Sequence, residues 1–128
     1  MLTIKVRSHG DIVILDLAGI LDLEGANFLR EKIQEERQKG FLKFILNCSL
    51  LTNIMSTYLQ NLLTPIRSLV LIRGVIAFCN LTPSNHKVLK TSMYYFIIKV
   101  FETEEEALGA LTVKKKESES LPGNDSSE

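Results

Sequence analysis

The sequence is poor in every feature that marks a strongly charged, crosslinked or membrane-embedded chain. Its 15 basic and 15 acidic side chains cancel, so no field of one sign draws in nucleic acid or an anionic membrane surface. It has only two cysteines, Cys48 and Cys79. Each lies inside an apolar segment and there is no Cys-x-x-Cys spacing, so both are expected as small buried hydrophobes with free thiols in a reducing compartment. No basic region leads into an apolar stretch after Met1-Leu2-Thr3-Ile4-Lys5, and no run approaches the roughly 18 apolar residues of a spanning helix. A soluble, cytoplasmic chain is expected. A Gly-rich phosphate loop, a nucleophile elbow and a paired-carboxylate arrangement are all missing. His9 and His86 stand far apart, without Cys, Asp or Glu at ligand spacing. These absences argue against an enzyme, a metal site and a bound cofactor.

What is present is enough for one domain: 128 residues, of which 45% are apolar, which supports a core of its own. Leu2-Thr3-Ile4-Lys5-Val6 alternates apolar with polar. After a turn at His9-Gly10-Asp11, the run Ile12 to Leu17 is mostly apolar and β-branched, so the two segments read as a hairpin. From Glu24 to Ile33 the apolar residues Ala26, Leu29 and Ile33 share one helical face, and the helix is expected to stop at Gly40, behind Arg37 and Lys39. Phe41 to Leu46 reads as an interior strand and Ser49 to Asn53 as the loop leaving it. A helical pattern then runs from Ser56 through Leu59, Leu62 and Leu63, with a kink or break expected near Thr64 because Pro65 removes a hydrogen bond and clashes with the preceding turn. Val75 to Cys79 reads as a further strand and Thr82-Pro83 as a capped helix start. Phe96 to Phe101 reads as a last short strand, and Thr103-Glu104-Glu105-Glu106 as the cap of a terminal helix. From Lys114 to Glu128 the chain is polar and charged, with too little apolar surface to offset its ordering entropy, so it is expected as a disordered tail on a domain of residues 1–113. The order of elements predicts an α/β domain: a mixed sheet of four to five strands with about four helices mainly on one face.

Particular residues in this order resemble the STAS family of anti-sigma factor antagonists. Gly19-Ile20-Leu21-Asp22 is similar to the family's Gly-x-Leu-Asp turn ahead of the first helix, and Leu29-Arg30-Glu31-Lys32-Ile33 to its Leu-Arg-Glu-x-Leu helix. Leu81-Thr82-Pro83 followed by Val88-Leu89 resembles its Leu-Ser-Pro and Val-Leu spacing, and Phe101-Glu102-Thr103 through Glu106-Ala107 resembles its Phe-x-Thr-x-x-Glu-Ala ending. The departure is central. Where the family carries Asp-Ser-Ser-Gly after the third strand, with one serine phosphorylated by the kinase activity of the partner anti-sigma factor, this chain has Met55-Ser56-Thr57-Tyr58. Asn47 likewise stands where an aspartate is common.

The resemblance implies a STAS-like fold and a protein-binding regulator that sequesters an anti-sigma factor of the serine-kinase type. It implies no direct contact with nucleic acid or membrane, and a monomer or weak homodimer. Ser56 and Thr57 are the phosphorylation candidates. A phosphate at a helix N-terminus meets free N–H groups and the positive end of the dipole, so it changes the docking surface by nearly two charges without unfolding the domain. Ser56 reads equally as a plain N-cap. Asp22 reads as part of a docking rim with the Ser56 loop, or as a residue favoured by the helix dipole. Met55 and Tyr58 read as exposed anchors for a partner or as buried packing. The alternative function is a non-switching STAS scaffold subunit of a signalling complex or transporter, which the altered Met55 to Tyr58 segment favours.

Overall fold

The computed structural model describes residues 1–55, 57, 59–92 and 95–112, and of residues 60–65 the backbone alone. Ser56, Tyr58 and the tail expected from Lys114 therefore lie outside the described residues. Those described form strands β1 (Leu2–His9), β2 (Ile12–Leu21), β3 (Lys43–Ile54), β4 (Val75–Cys79) and β5 (Lys99–Phe101), and helices α1 (Leu23–Gln38), α2 (Leu59–Leu71), α3 (Pro83–Lys90) and α4 (Glu104–Leu111). The five strands lie in the sheet in sequence order. β1 runs antiparallel to β2 and every other pair is parallel.

Parallel neighbours require crossovers, and α1, α2 and α3 supply them on a single face. Val13, Leu15 and Leu17 of β2, with Phe44 and Leu46 of β3, pack there against Ala26, Leu29, Ile33, Ile66, Leu69 and Leu89 of the helices. The alternate residues Ile12, Ile14, Ile45, Ala77 and Cys79 meet Ala107 and Leu111 of α4 on the opposite face. Burial on both sides explains why β2 reads as a nearly continuous apolar run. The expected mixed sheet, with helices mainly on one face, is what the chain forms.

Three local expectations are corrected. Ser49 to Asn53 is strand, because β3 continues to Ile54. Its pairing with β2 slips between Asp16 and Ala18 and again between Gly19 and Ile20. Each slip adds a residue to β3, so the core-facing positions become Cys48, Leu51 and Ile54, a spacing of three that hides the strand's period of two. α2 runs unbroken across Pro65, since Leu59 before it and Ile66 and Leu69 after it are all buried in one core and tertiary packing outweighs local propensity. The stretch from Phe96 begins as a 3-10 turn at Tyr95–Ile97, where Ile98 N–H donates to Tyr95 O at 3.3 Å. Only Lys99–Phe101 pairs, with Ala77 to Cys79 of β4, because the 3-10 turn takes up the residues that would otherwise extend the ladder. The first helix closes as expected: Gly40 takes φ +104° and its N–H donates to Arg37 O at 2.9 Å, a left-handed end that glycine adopts without cost to a Cβ.

A polar row crosses the α4 face. Arg7 of β1 forks onto Asp16 of β2 through Nε and Nη2 at 2.6 and 2.7 Å, and onto Glu104 of α4 through Nη1 and Nη2 at 3.2 and 2.6 Å. Asn47 of β3 donates to the same Glu104 at 2.8 Å and accepts from Asn80 at 3.2 Å. Asn47, where the family favours an aspartate, thus serves a carboxylate as a donor. An acid at that position would face Glu104 with like charge.

Candidate functional site

The candidate residues gather where β2 and β3 end side by side. Leu21 pairs with Ile54 in the last register of the two strands, and the N–H of Met55 donates to Leu21 O at 3.0 Å. Asp22 and Met55 therefore leave the sheet as neighbours from adjacent parallel strands. This carboxyl end of a parallel sheet is where open α/β folds place their sites.

Asp22 is the N-cap of α1: its backbone is extended and Oδ1 accepts from Gly25 N–H at 2.8 Å. The side chain satisfies an N–H that the helix itself leaves without a partner. Asp22→Ala should lower stability by about 0.5–2 kcal/mol and Asp22→Asn by only a few tenths, since asparagine caps equally well. Denaturant melts of both variants check this.

Met55 is 39% exposed, and Thr57 is exposed as well. Ile20 and Leu23, on either side of the Leu21-Asp22 pair in sequence, are exposed too. The structure brings Asp22 and Met55 together at one rim with an apolar margin, and the exposed Thr57 follows Met55 by two residues. Ser56 and Tyr58, the other two candidates, lie outside the described residues.

Sequence reasoning missed Asn85. This residue, 1% exposed, sits at the third position of α3, and its carboxamide reaches β3. Oδ1 accepts from Ile54 N–H at 3.1 Å and Nδ2 donates to Leu51 O at 3.2 Å. The signal available was that the capping-box position, three residues after Thr82, carries Asn instead of Glu or Gln. Thr82 Oγ1 does accept from Asn85 N–H at 3.1 Å, which leaves the Asn85 side chain free to leave the helix.

Cys79 is pushed up to about 12 by burial and then by the charges of Glu104 and Asp16, and Cys48 is raised by burial and then by Cys79. Both are therefore protonated thiols at neutral pH, and both are free. His86 Nε2 shares a 2.9 Å hydrogen bond with Tyr95 Oη. Among the described residues no cluster of three or more His, Cys, Asp or Glu could hold a metal ion. No described helix is long and apolar enough to cross a membrane.

Comparison with known proteins agrees with this fold. Among curated protein sequences none matches significantly. Solved structures do: an anti-sigma factor antagonist assigned in Thermotoga maritima is 24% identical, with a TM-score of 0.76 over 84% of this chain and 93% of its own. The anti-sigma factor antagonist SpoIIAA in its unphosphorylated form is 23% identical, with a TM-score of 0.67 over 85% of this chain and 97% of its own. Bacillus SpoIIAA in its phosphorylated form is 24% identical, with a TM-score of 0.65 over 86% and 100%. These likenesses establish the fold. The family model of the STAS domain matches residues 3–107, nearly the whole described chain, and the protein belongs to the STAS domain family.

Proposed function

We propose that this chain is an anti-sigma factor antagonist: a cytoplasmic regulator of transcription that sequesters an anti-sigma factor of the serine-kinase type and so frees a sigma factor. It acts by binding and not by catalysis, as a monomer or weak homodimer. The observation that carries this reading is the rim itself, where Asp22 and Met55 leave the paired ends of β2 and β3 side by side, two residues ahead of Thr57, in a chain of the STAS family. SpoIIAA, a structural neighbour, has been solved in both phosphorylated and unphosphorylated forms. By analogy the switch here is phosphorylation at Ser56 or Thr57, two or three residues ahead of α2. There the helix N-terminus tolerates the added charge while the docking partner meets it.

The test uses the purified serine-kinase anti-sigma factors of the source organism, titrated calorimetrically. One should bind the parent. Ser56→Asp should weaken that binding by at least about tenfold, or 1.4 kcal/mol, with an almost unchanged melting temperature, because a negative charge ahead of the α2 N-terminus suits the helix dipole. Asp22→Asn, which keeps the α1 cap, should also weaken binding if its charge docks the partner. The scaffold reading is favoured by Met55 and Tyr58 standing in place of the family's acid and glycine. It would replace the switching one if Ser56→Asp binds as tightly as the parent and mass spectrometry of the native protein finds no phosphate on Ser56 or Thr57.

A further inference from the structure

β4 pairs with β3 only from Lys43 to Asn47, so β3 runs on for seven residues, Cys48 to Ile54, past the last rung of that ladder. Of these residues Cys48, Leu51 and Ile54 are buried, and buried backbone groups on this side of the strand end need partners other than a strand. At Leu51 and Ile54 the partner is one side chain: the Asn85 carboxamide accepts from Ile54 N–H and donates to Leu51 O. It presents to β3 one acceptor and one donor, as a neighbouring strand would. The next amide, Met55 N–H, is taken by Leu21 O of β2. The strand end is thus gripped from both sides at successive residues, by β2 at Met55 and by α3 at Ile54.

We infer that Asn85 is a positioning residue for the docking rim: it sets where Met55 and the residues after it leave the sheet, and it ties that exit to the start of α3. The geometry is independent of the partner-binding reading, but its consequence for docking rests on that reading. The choice of side chain is specific. Leucine would fill the space and satisfy neither group. A carboxylate would accept from Ile54 N–H but set a second acceptor against Leu51 O. A buried polar network of this kind rigidifies only when all its members are satisfied.

Amide exchange followed residue by residue by NMR tests the assignment. In the parent, the Asn85 carboxamide protons should exchange slowly, as protons held in buried hydrogen bonds do. In Asn85→Ala, exchange at Ile54 and Met55 should accelerate at least about tenfold more than at Ile45 and Phe78 in the sheet centre, because the opening is local. Asn85→Asp adds a pH signature that a merely space-filling residue would not produce. On protonation its carboxyl gains an O–H able to donate to Leu51 O, so the Ile54 and Met55 amide shifts should move toward the parent's as pH falls from about 7 to about 5. Parallel acceleration at all four amides, rapid exchange of the parent carboxamide, or a flat Asn85→Asp profile would overturn the assignment. A kinase that binds the parent should bind Asn85→Ala at least about tenfold more weakly; unchanged affinity with a locally opened Ile54 would overturn the link to docking. If no kinase binds the parent, the antagonist reading fails, and the exchange results still decide whether Asn85 positions the strand end.

Discussion

Gly19→Ala should destabilise the domain by about 2–4 kcal/mol, from two separable causes. Gly19 has φ +111°, a backbone conformation that an L side chain adopts only under strain. A Cβ there would also collide with the Met1 carbonyl oxygen, the acceptor for Ile20 N–H at 3.2 Å. Relieving the collision means moving the start of β1, and with it Leu2, which is buried against the α1 face of the core. Gly40→Ala separates the two effects. Gly40 has a similar φ of +104°, but a Cβ there would meet nothing within 4 Å, so its cost should be strain alone, about 1–2 kcal/mol. Chemical denaturation of both variants checks the difference. Equal losses would mean that Met1 moves aside freely and that the end of β2 at Gly19 depends on conformation and not on close approach.

The parts of this fold that could be read in the sequence are those whose causes are local. Thr82 and Thr103 each accept an N–H three residues on, from Asn85 and Glu106, and both were visible as caps because the pattern lies within one turn. β2 was visible because burial on two faces leaves few polar residues. The end of β3 was not, because two register slips replace its alternation with a spacing of three. Of the kink or break expected near Thr64, the break does not occur, because Leu59 on one side of Pro65 and Ile66 and Leu69 on the other anchor α2 in the core. The site divides in the same way. Its location was legible only through family resemblance at Gly19 to Asp22 and at Met55 to Tyr58; that Asp22 is a cap and Met55 is exposed came from the structure. Asn85 was not legible, since its partners Ile54 and Leu51 lie 31 and 34 residues away. Asp16 did leave a trace, as an acid interrupting the apolar run from Ile12 to Leu17. A charge in that setting needs a partner, though nothing local identified the partner as Arg7.

That partnership supports the last expected result: Arg7→Leu should cost about 1.5–3 kcal/mol at neutral pH, nearer the lower figure because the Arg7 side chain is 38% exposed and its ion pairs are partly screened. The substitution leaves Asp16 and Glu104 as carboxylates that lose their shared cation while Glu104 stays only 23% exposed. It also frees α4 from β1. In the parent, the hydrogen bond from Arg7 holds the Glu104 carboxyl below its usual range, against burial and with help from Asn47. A folded-state pKa below the unfolded one contributes stability that is present above the unfolded value, about 4.3, and is lost as pH falls through the lower folded value. Without Arg7 the largest lowering cause is gone and only the Asn47 hydrogen bond and the His9 charge remain to oppose burial, so most of this pH-dependent stability is lost. The difference in stability between parent and Arg7→Leu should therefore be largest above about pH 5 and should narrow steadily toward about pH 3. Urea melts across that range measure it. Glu104→Gln in the Arg7→Leu background should then cost much less than in the parent, because the interaction is already lost. A pH-independent gap between Arg7→Leu and the parent, or additive losses in the double variant, would mean that Arg7 holds α4 through packing of its aliphatic stem and not through the charge it shares with Glu104.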